Sequence, residues 1–130
     1  MGNLLEPPRI PQSMMTMAKH PWVTEFPGAI TVCDPDGIII EMNQTAAETF
    51  KEDGGMRLIG KSLFDCHPEP ARTKLKELLK TRRLNVYTTE KNGVHKIIYQ
   101  SPWIKNGKYA GFVEMSLVIP DQITHFIRDT

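Results

Sequence analysis

Apolar and polar residues alternate along the chain in two patterns, one typical of strands and one typical of helices. Residues 29–33 and 38–42 are β-rich apolar runs, and the Asp-Pro-Asp-Gly sequence between them favours a tight turn. Closer to the C-terminus, Asn-Gly pairs at 92–93 and 106–107 are typical of hairpin turns. We therefore predict a first β-hairpin and then a three-stranded meander, whose strands span residues 85–91, 94–104 and 109–119.

Helical spacing dominates the stretch between these two groups of strands. Asn43 can cap a short helix that has Ala46, Ala47 and Phe50 on one face. The longest predicted helix spans residues 68–83, where four apolar residues recur at helical spacing. They are Ala71, Leu75, Leu78 and Leu79. One antiparallel sheet backed by helices on one face accounts for this order, so the predicted class is α+β.

The two ends of the chain differ from its body. Residues 1–26 begin with several prolines, so we expect an extended arm followed by a short flanking helix at 14–19. Residues 27–120 form the predicted domain, and residues 121–130 are predicted to start a connector helix. Because residues 13–26 are rich in Met, Trp and Phe, we expect them to cover the outer face of the sheet and complete a homodimer.

Composition excludes several classes of protein. A chain of 130 residues has the length of one domain, and its formal net charge of +1 does not favour nucleic-acid binding. No apolar run approaches the roughly 18 residues of a membrane span, and the N-terminus has no secretory signal pattern. Two cysteines cannot build a disulfide framework, so we expect a protein of the reducing cytoplasm.

Motifs for catalysis and for metal binding are missing from the sequence. It contains no nucleophile elbow, no phosphate-binding glycine loop and no paired carboxylates. The four histidines are scattered, and Cys33 and Cys66 lack C-x-x-C spacing. The sequence therefore predicts neither an enzyme nor a metal site.

The order of elements, together with local sequence, resembles the Per-Arnt-Sim (PAS) sensor family. The resemblance covers residues 27–120, and the stretch Leu-Ile-Gly-Lys-Ser at 58–62 is one of its motifs. The other matching stretches are 29–34, 36–39, 43–47 and 106–112. It implies a PAS fold, in which a five-stranded antiparallel sheet has short helices on one face. It also implies a ligand pocket between sheet and helices, and dimerisation through the outer sheet face.

The function implied by the resemblance is that of a sensory module in signal transduction, such as two-component signalling or transcriptional regulation. Such a module binds a small molecule and passes the signal to an effector domain or partner protein. Two alternatives stay open, namely a dimerisation module without ligand and a haem-based gas or redox sensor with His67 as the iron ligand. A flavin is not expected, because the residues around Cys66 lack the Arg, Gln and Asn that a flavin site of this family carries.

The predicted pocket lies between a helical wall and a sheet wall. The helical wall is assigned to Phe50, Leu63, Phe64, Leu75 and Leu79. The sheet wall is assigned to Ile97, Tyr99, Val113 and Met115, with Phe112, Glu114, Ser116 and Val118 facing outward. His67 and Tyr99 are the polar groups expected to contact a ligand, whereas Asn43 is expected to cap its helix.

Overall fold

A computed structural model describes residues 20–129 of the chain. Five antiparallel strands form one sheet in the order β2-β1-β5-β4-β3. The strands are β1 Ala29–Cys33, β2 Ile39–Met42, β3 Asn85–Lys91, β4 Val94–Lys105 and β5 Lys108–Ile119. The predicted class and strand number are confirmed, whereas the helix predicted at 14–19 lies outside the described residues.

Two tight turns fix the meander formed by β3, β4 and β5. The central residues of the first turn are Asn92 and Gly93, with φ of 54° and 78°, and those of the second are Asn106 and Gly107, with φ of 52° and 78°. Positive φ at both central residues is the geometry of the type I′ hairpin turn, which matches the twist of the strands it joins. The first turn therefore sets the pairing of β3 with β4 along its whole length, whereas the pairing of β4 with β5 shifts by one residue at Trp103 and Ile104.

The helices cover one face of this sheet. They are α1 Pro21–Glu25, α2 Gln44–Thr49, α3 Leu63–Cys66 and α4 Ala71–Thr81, with 3₁₀ turns at Lys51–Asp53 and Gly55–Leu58. The helix predicted over 68–83 is shorter, because Pro70 stands at its N-cap and the left-handed Arg82, with φ of 56°, ends it.

The connector helix predicted from residue 121 is wrong for residues 121–129, which contain no helix. Three apolar side chains of this segment, Ile123, Phe126 and Ile127, are 64%, 67% and 85% exposed. A short helix that buries no face is marginal in water, so the local sequence pattern does not suffice to form one.

Asn43 joins three elements at one end of the sheet. Its side chain is fully buried, and its Oδ1 accepts from the backbone N–H groups of Ile30 and Ala46, both at 2.9 Å. Its Nδ2 donates to the carbonyl oxygens of Val23 at 3.0 Å and Gly28 at 2.9 Å. The predicted helix-capping role is confirmed, and the same amide also ties α1 and β1 to α2.

The apolar core consists of two clusters on the helix-covered face. The first is formed by β1, β2, α2 and the second 3₁₀ turn, with Ala29, Ile39, Met42, Ala46 and Leu58. The second joins α4 to β1 and β5 and consists of Cys33, Leu78, Leu79 and Phe112.

Candidate functional site

A cavity of about 550 Å³ lies between the inner face of the sheet and the helices. The backbone of α2 lies close along β1, whereas the backbone of α4 stands away from the sheet, and the cavity fills that space. Most of its lining is apolar. The apolar side chains come from both walls: Ile39, Met42, Phe50, Leu58, Leu63, Leu75, Leu78, Leu79 and Phe112.

A polar row crosses the floor of the cavity from strand to strand. It consists of Thr31, Glu114, Gln100 and Asn85, which lie opposite one another on β1, β5, β4 and β3. The Asn85 Nδ2 donates to the Gln100 Oε1 at 2.8 Å, and the Gln100 Nε2 donates to the Glu114 Oε1 at 2.8 Å. An otherwise apolar cavity thus has a hydrogen-bonded polar floor.

Two titratable side chains that line the cavity have raised pKa values. Burial raises the pKa of the Cys33 thiol to about 11, so the thiol is protonated and unreactive at neutral pH. Burial also raises the pKa of the Tyr87 hydroxyl, and the Glu114 carboxylate adds to this shift. The negative charge of Glu114 therefore acts on the interior of the cavity.

The mouth of the cavity is formed by α3, α4 and the segment between them. His67, which lines it, has its Nδ1 at 2.7 Å from the carbonyl oxygen of Leu63. A carbonyl can only accept, so Nδ1 carries the proton and the ring's Nε2 is left as an acceptor. Lys74 and Asp53 are exposed at the same cavity and carry opposite charges.

Five of the ten residues assigned to the pocket line this cavity. They are Phe50, Leu63, His67, Leu75 and Leu79. Phe64 does not line it and packs instead against the second core cluster, with the Lys76 ammonium 5.4 Å from the centre of its ring.

The predicted sheet wall is wrong, because it lies on the opposite face. Strand pairing joins Tyr99 to Met115, and Ser101 to Val113, one position away from the polar row. Ile97, Tyr99, Val113 and Met115 therefore point away from the helices. Phe112 and Glu114, predicted to face outward, line the cavity, and by alternation Ser116 and Val118 share their face.

The error in the sheet wall has a physical origin. The usual rule places the more apolar face of a strand against the core, and on β5 the odd-numbered residues are the more apolar ones. Counting residues outward from the Asn92-Gly93 turn would have set Asn85 opposite Gln100, as the structure has it. The pairing of Asn85 with Gln100 was therefore accessible from this turn, but the pairing of Gln100 with Glu114 was not, because the register between β4 and β5 shifts by one residue at Trp103 and Ile104.

Within residues 20–129, no three or more His, Cys, Asp or Glu side chains are grouped so that they could hold a metal ion. No helix among the same residues is long and apolar enough to cross a bilayer.

Comparisons with known proteins agree with this architecture. A family model described as the PAS fold matches residues 23–122. The PAS domain of BvgS from Bordetella pertussis superposes with a TM-score of 0.60 at 18% identity, over 83% of this chain and 88% of that one. A C-terminal domain from Streptococcus mutans gives a TM-score of 0.60 at 22% identity, over 73% and 78% of the two chains.

A third solved structure comes from a haem protein. The Aer2 receptor of Vibrio cholerae, described as a dual PAS-haem oxygen sensor, gives a TM-score of 0.53 at 14% identity. The match covers 72% of this chain and 95% of that one. No curated protein sequence matches the chain. At these identities, the structural matches establish the fold.

Proposed function

The chain belongs to the PAS family of sensory domains, and on that premise we propose that it senses a small molecule bound in the cavity between helices and sheet. Occupancy of the cavity would be passed to an effector domain or partner protein of a signalling system. The two free cysteines of the described residues fit a module that works in the reducing cytoplasm.

The observation that carries the proposal is the cavity with its polar row. Protein interiors are close-packed, and a space of about 550 Å³ falls within the range of roughly 300–1,000 Å³ typical of small-molecule sites. Such sites combine apolar walls with a few polar groups that orient the ligand. Leu63, Leu75 and Leu79 supply the first feature, and the polar row supplies the second.

Native mass spectrometry of freshly purified protein tests the proposal. We expect an additional mass of a few hundred daltons that is lost on denaturation, or a thermal stabilisation by compounds from a fragment screen. A protein with no bound compound and no response to any fragment would favour the alternative of a ligand-free dimerisation module.

Haem binding is a second candidate, and the tautomer of His67 favours it. The carbonyl of Leu63 holds the proton on Nδ1, which is the arrangement that leaves Nε2 free to ligate iron. An absorption spectrum tests this candidate: a Soret band that disappears in His67→Ala would support it. A wild-type protein that stays colourless after incubation with haemin would rule it out.

We further propose that the outer face of the sheet joins two copies of the chain. This face, turned away from the helices, carries a broad set of apolar side chains. They are Ile30, Val32, Ile97, Tyr99, Val113, Met115, Leu117 and Ile119. Tyr99 is 43% exposed, and Phe26 and Leu117 both flank Gly28, so the segment leading into β1 reaches the edge of this face.

Light scattering over a concentration series tests the dimer. We expect the wild-type chain to dimerise and Met115→Glu to be monomeric, because the variant places a charge in the middle of the outer face. Lys80→Glu, on the exposed side of α4, changes charge away from that face and should dimerise normally. A monomeric wild type, or a Met115→Glu variant that dimerises equally well, would contradict this arrangement.

A further inference from the structure

In the polar row, each side-chain amide donates a hydrogen bond to the neighbour on its Glu114 side. The Glu114 carboxylate can only accept, so the Gln100 amide turns its NH₂ group toward it. The Gln100 carbonyl oxygen then faces Asn85, which must donate its own NH₂ group. This order leaves the Asn85 Oδ1 and the Glu114 Oε2 open to a ligand, since no hydrogen bond from residues 20–129 reaches either atom, and each amide keeps a second N–H.

The charge of Glu114 is not balanced inside the protein. Among residues 20–129, its carboxylate takes part in no ion pair, and its one side-chain partner is a neutral amide. Lys74 lines the cavity from α4 but is exposed, and the acidic Asp53 is exposed at the same cavity. Within the part of the chain that the structure describes, the cavity therefore offers a ligand a carboxylate on its floor and no buried cation.

We infer that the cavity selects a molecule with an apolar body and an amine, whose N–H groups bond the Glu114 carboxylate. This inference rests on the sensory function proposed above and adds the chemical class of the ligand. A hydrogen bond between an ammonium and a carboxylate is charge-assisted and among the strongest available in a protein. A ligand carboxylate that accepted the remaining N–H of the Asn85 or Gln100 amide would lie close to the Glu114 charge, and this repulsion between like charges disfavours organic acids.

The position of Glu114 within the cavity suits this role. It lies on β5, the central strand of the sheet, so an amine bonded to it places its apolar body under α4. Leu75 and Leu79 of that helix and Phe112 beside Glu114 form the apolar surroundings. The raised pKa of Tyr87, to which the Glu114 charge contributes, supports a negative potential in this part of the cavity.

Two probes of matched shape and opposite charge test the inference. 2-Phenylethylamine and 3-phenylpropionate share a phenyl ring on a short chain, and their dissociation constants can be measured by titration monitored with ¹H–¹⁵N correlation spectra. We expect the wild-type domain to bind the amine at least about tenfold more tightly than the acid, which corresponds to about 1.4 kcal/mol.

Two variants assign the preference to one carboxylate. Glu114→Gln keeps the shape of the side chain and removes its charge, so the amine should bind about tenfold more weakly. Glu25→Gln removes the same charge at the exposed end of α1, away from the cavity, and should leave both affinities unchanged. The same spectra report whether each variant is folded, and the comparison of probes on the wild-type chain is independent of the variants.

The possible failures are distinguishable. Equal or tighter binding of 3-phenylpropionate, or an unchanged affinity for the amine in Glu114→Gln, would overturn the amine preference while the sensory function stands. If neither probe binds while another compound co-purifies or stabilises the protein, the amine preference alone is overturned. If neither probe binds, no compound co-purifies and no fragment stabilises the protein, the sensory function fails together with the inference.

Discussion

The two ends of the sheet are built to different densities. At the end formed by β1 and β2, Met42, Asn43 and Ala46 are at most 1% exposed, and helix α2 lies directly on the strands. At the end formed by β3 and β4, nearly every residue of β3 is exposed, and a cavity separates the sheet from α4. The first end is therefore closely packed, and the second contains a cavity.

The difference follows from how the two helices are attached. Asn43 fixes α2 at its start through four hydrogen bonds to the backbone of three elements. Helix α4 is held to the sheet at its C-terminal end, where the Tyr109 hydroxyl donates to the Leu79 carbonyl at 3.1 Å and the Arg82 guanidinium lies 4.5 Å from the centre of the Tyr109 ring. Its N-terminal end contacts α3 and the segment before the helix instead. A helix that is attached to the sheet at one end only can stand away from it at the other end, and this leaves the cavity between them.

The largest expected effect concerns the side-chain amide of Asn43, at the closely packed end of the sheet formed by β1 and β2. Asn43→Ala should lower the free energy of unfolding by about 3–5 kcal/mol, because it leaves buried backbone groups without partners and removes a helix cap. Asn85→Ala, an equivalent truncation at the open end, should cost about 1 kcal/mol or less because solvent can replace its single hydrogen bond. Urea unfolding of both variants measures the difference, and equal losses would contradict the contrast between the two ends.

A smaller effect is expected when side chains are enlarged at each end. Ala46 is fully buried, so Ala46→Leu should destabilise the fold by about 1–3 kcal/mol through overpacking. Leu75 is half-buried and faces the cavity, so Leu75→Trp should cost less than about 1 kcal/mol while abolishing ligand binding. Thermal and urea denaturation would report the costs. Should Leu75→Trp prove as destabilising as Ala46→Leu, the space beneath α4 is not available to a ligand.

The smallest effect concerns a carboxylate at the dense end. Burial raises the pKa of Glu41 above its usual value of 4.5, so the folded state holds this proton more tightly than the unfolded state does. Below pH 4.5 both states are protonated and the residue costs nothing; as the pH rises through the raised folded pKa, the penalty develops and then stays constant.

Glu41→Gln should therefore stabilise the domain at pH 7 by a few tenths of a kcal/mol, since solvent screens this partly exposed side chain, and by nothing at pH 3.5. Unfolding curves at both pH values measure it. A stabilisation that is greatest in acid would show that the sign assigned to this residue is wrong.

Local sequence signals predicted the fold well because they act over a few residues. The Asn-Gly pairs fix their turns through backbone conformation alone, and Asn43 caps its helix with its own side chain. The cavity depends on distant parts of the chain, and half of its predicted lining was misplaced. The odd-numbered face of β5 is the more apolar one, so hydrophobic alternation placed Val113 rather than Phe112 against the helices. The connector helix failed for a related reason, since its pattern needs a surface to bury it.

The type I′ turn at Asn106 and Gly107 has a consequence for how such domains diversify. Surface loops normally tolerate inserted residues without effect on a distant site. Here one inserted residue that shifted β5 against its neighbours would rotate Glu114 out of the cavity and bring Val113 or Met115 into its place. Under the proposed amine preference, the length of a loop that does not line the cavity would therefore set ligand specificity, and one such insertion would replace a carboxylate on the cavity floor by a hydrocarbon side chain.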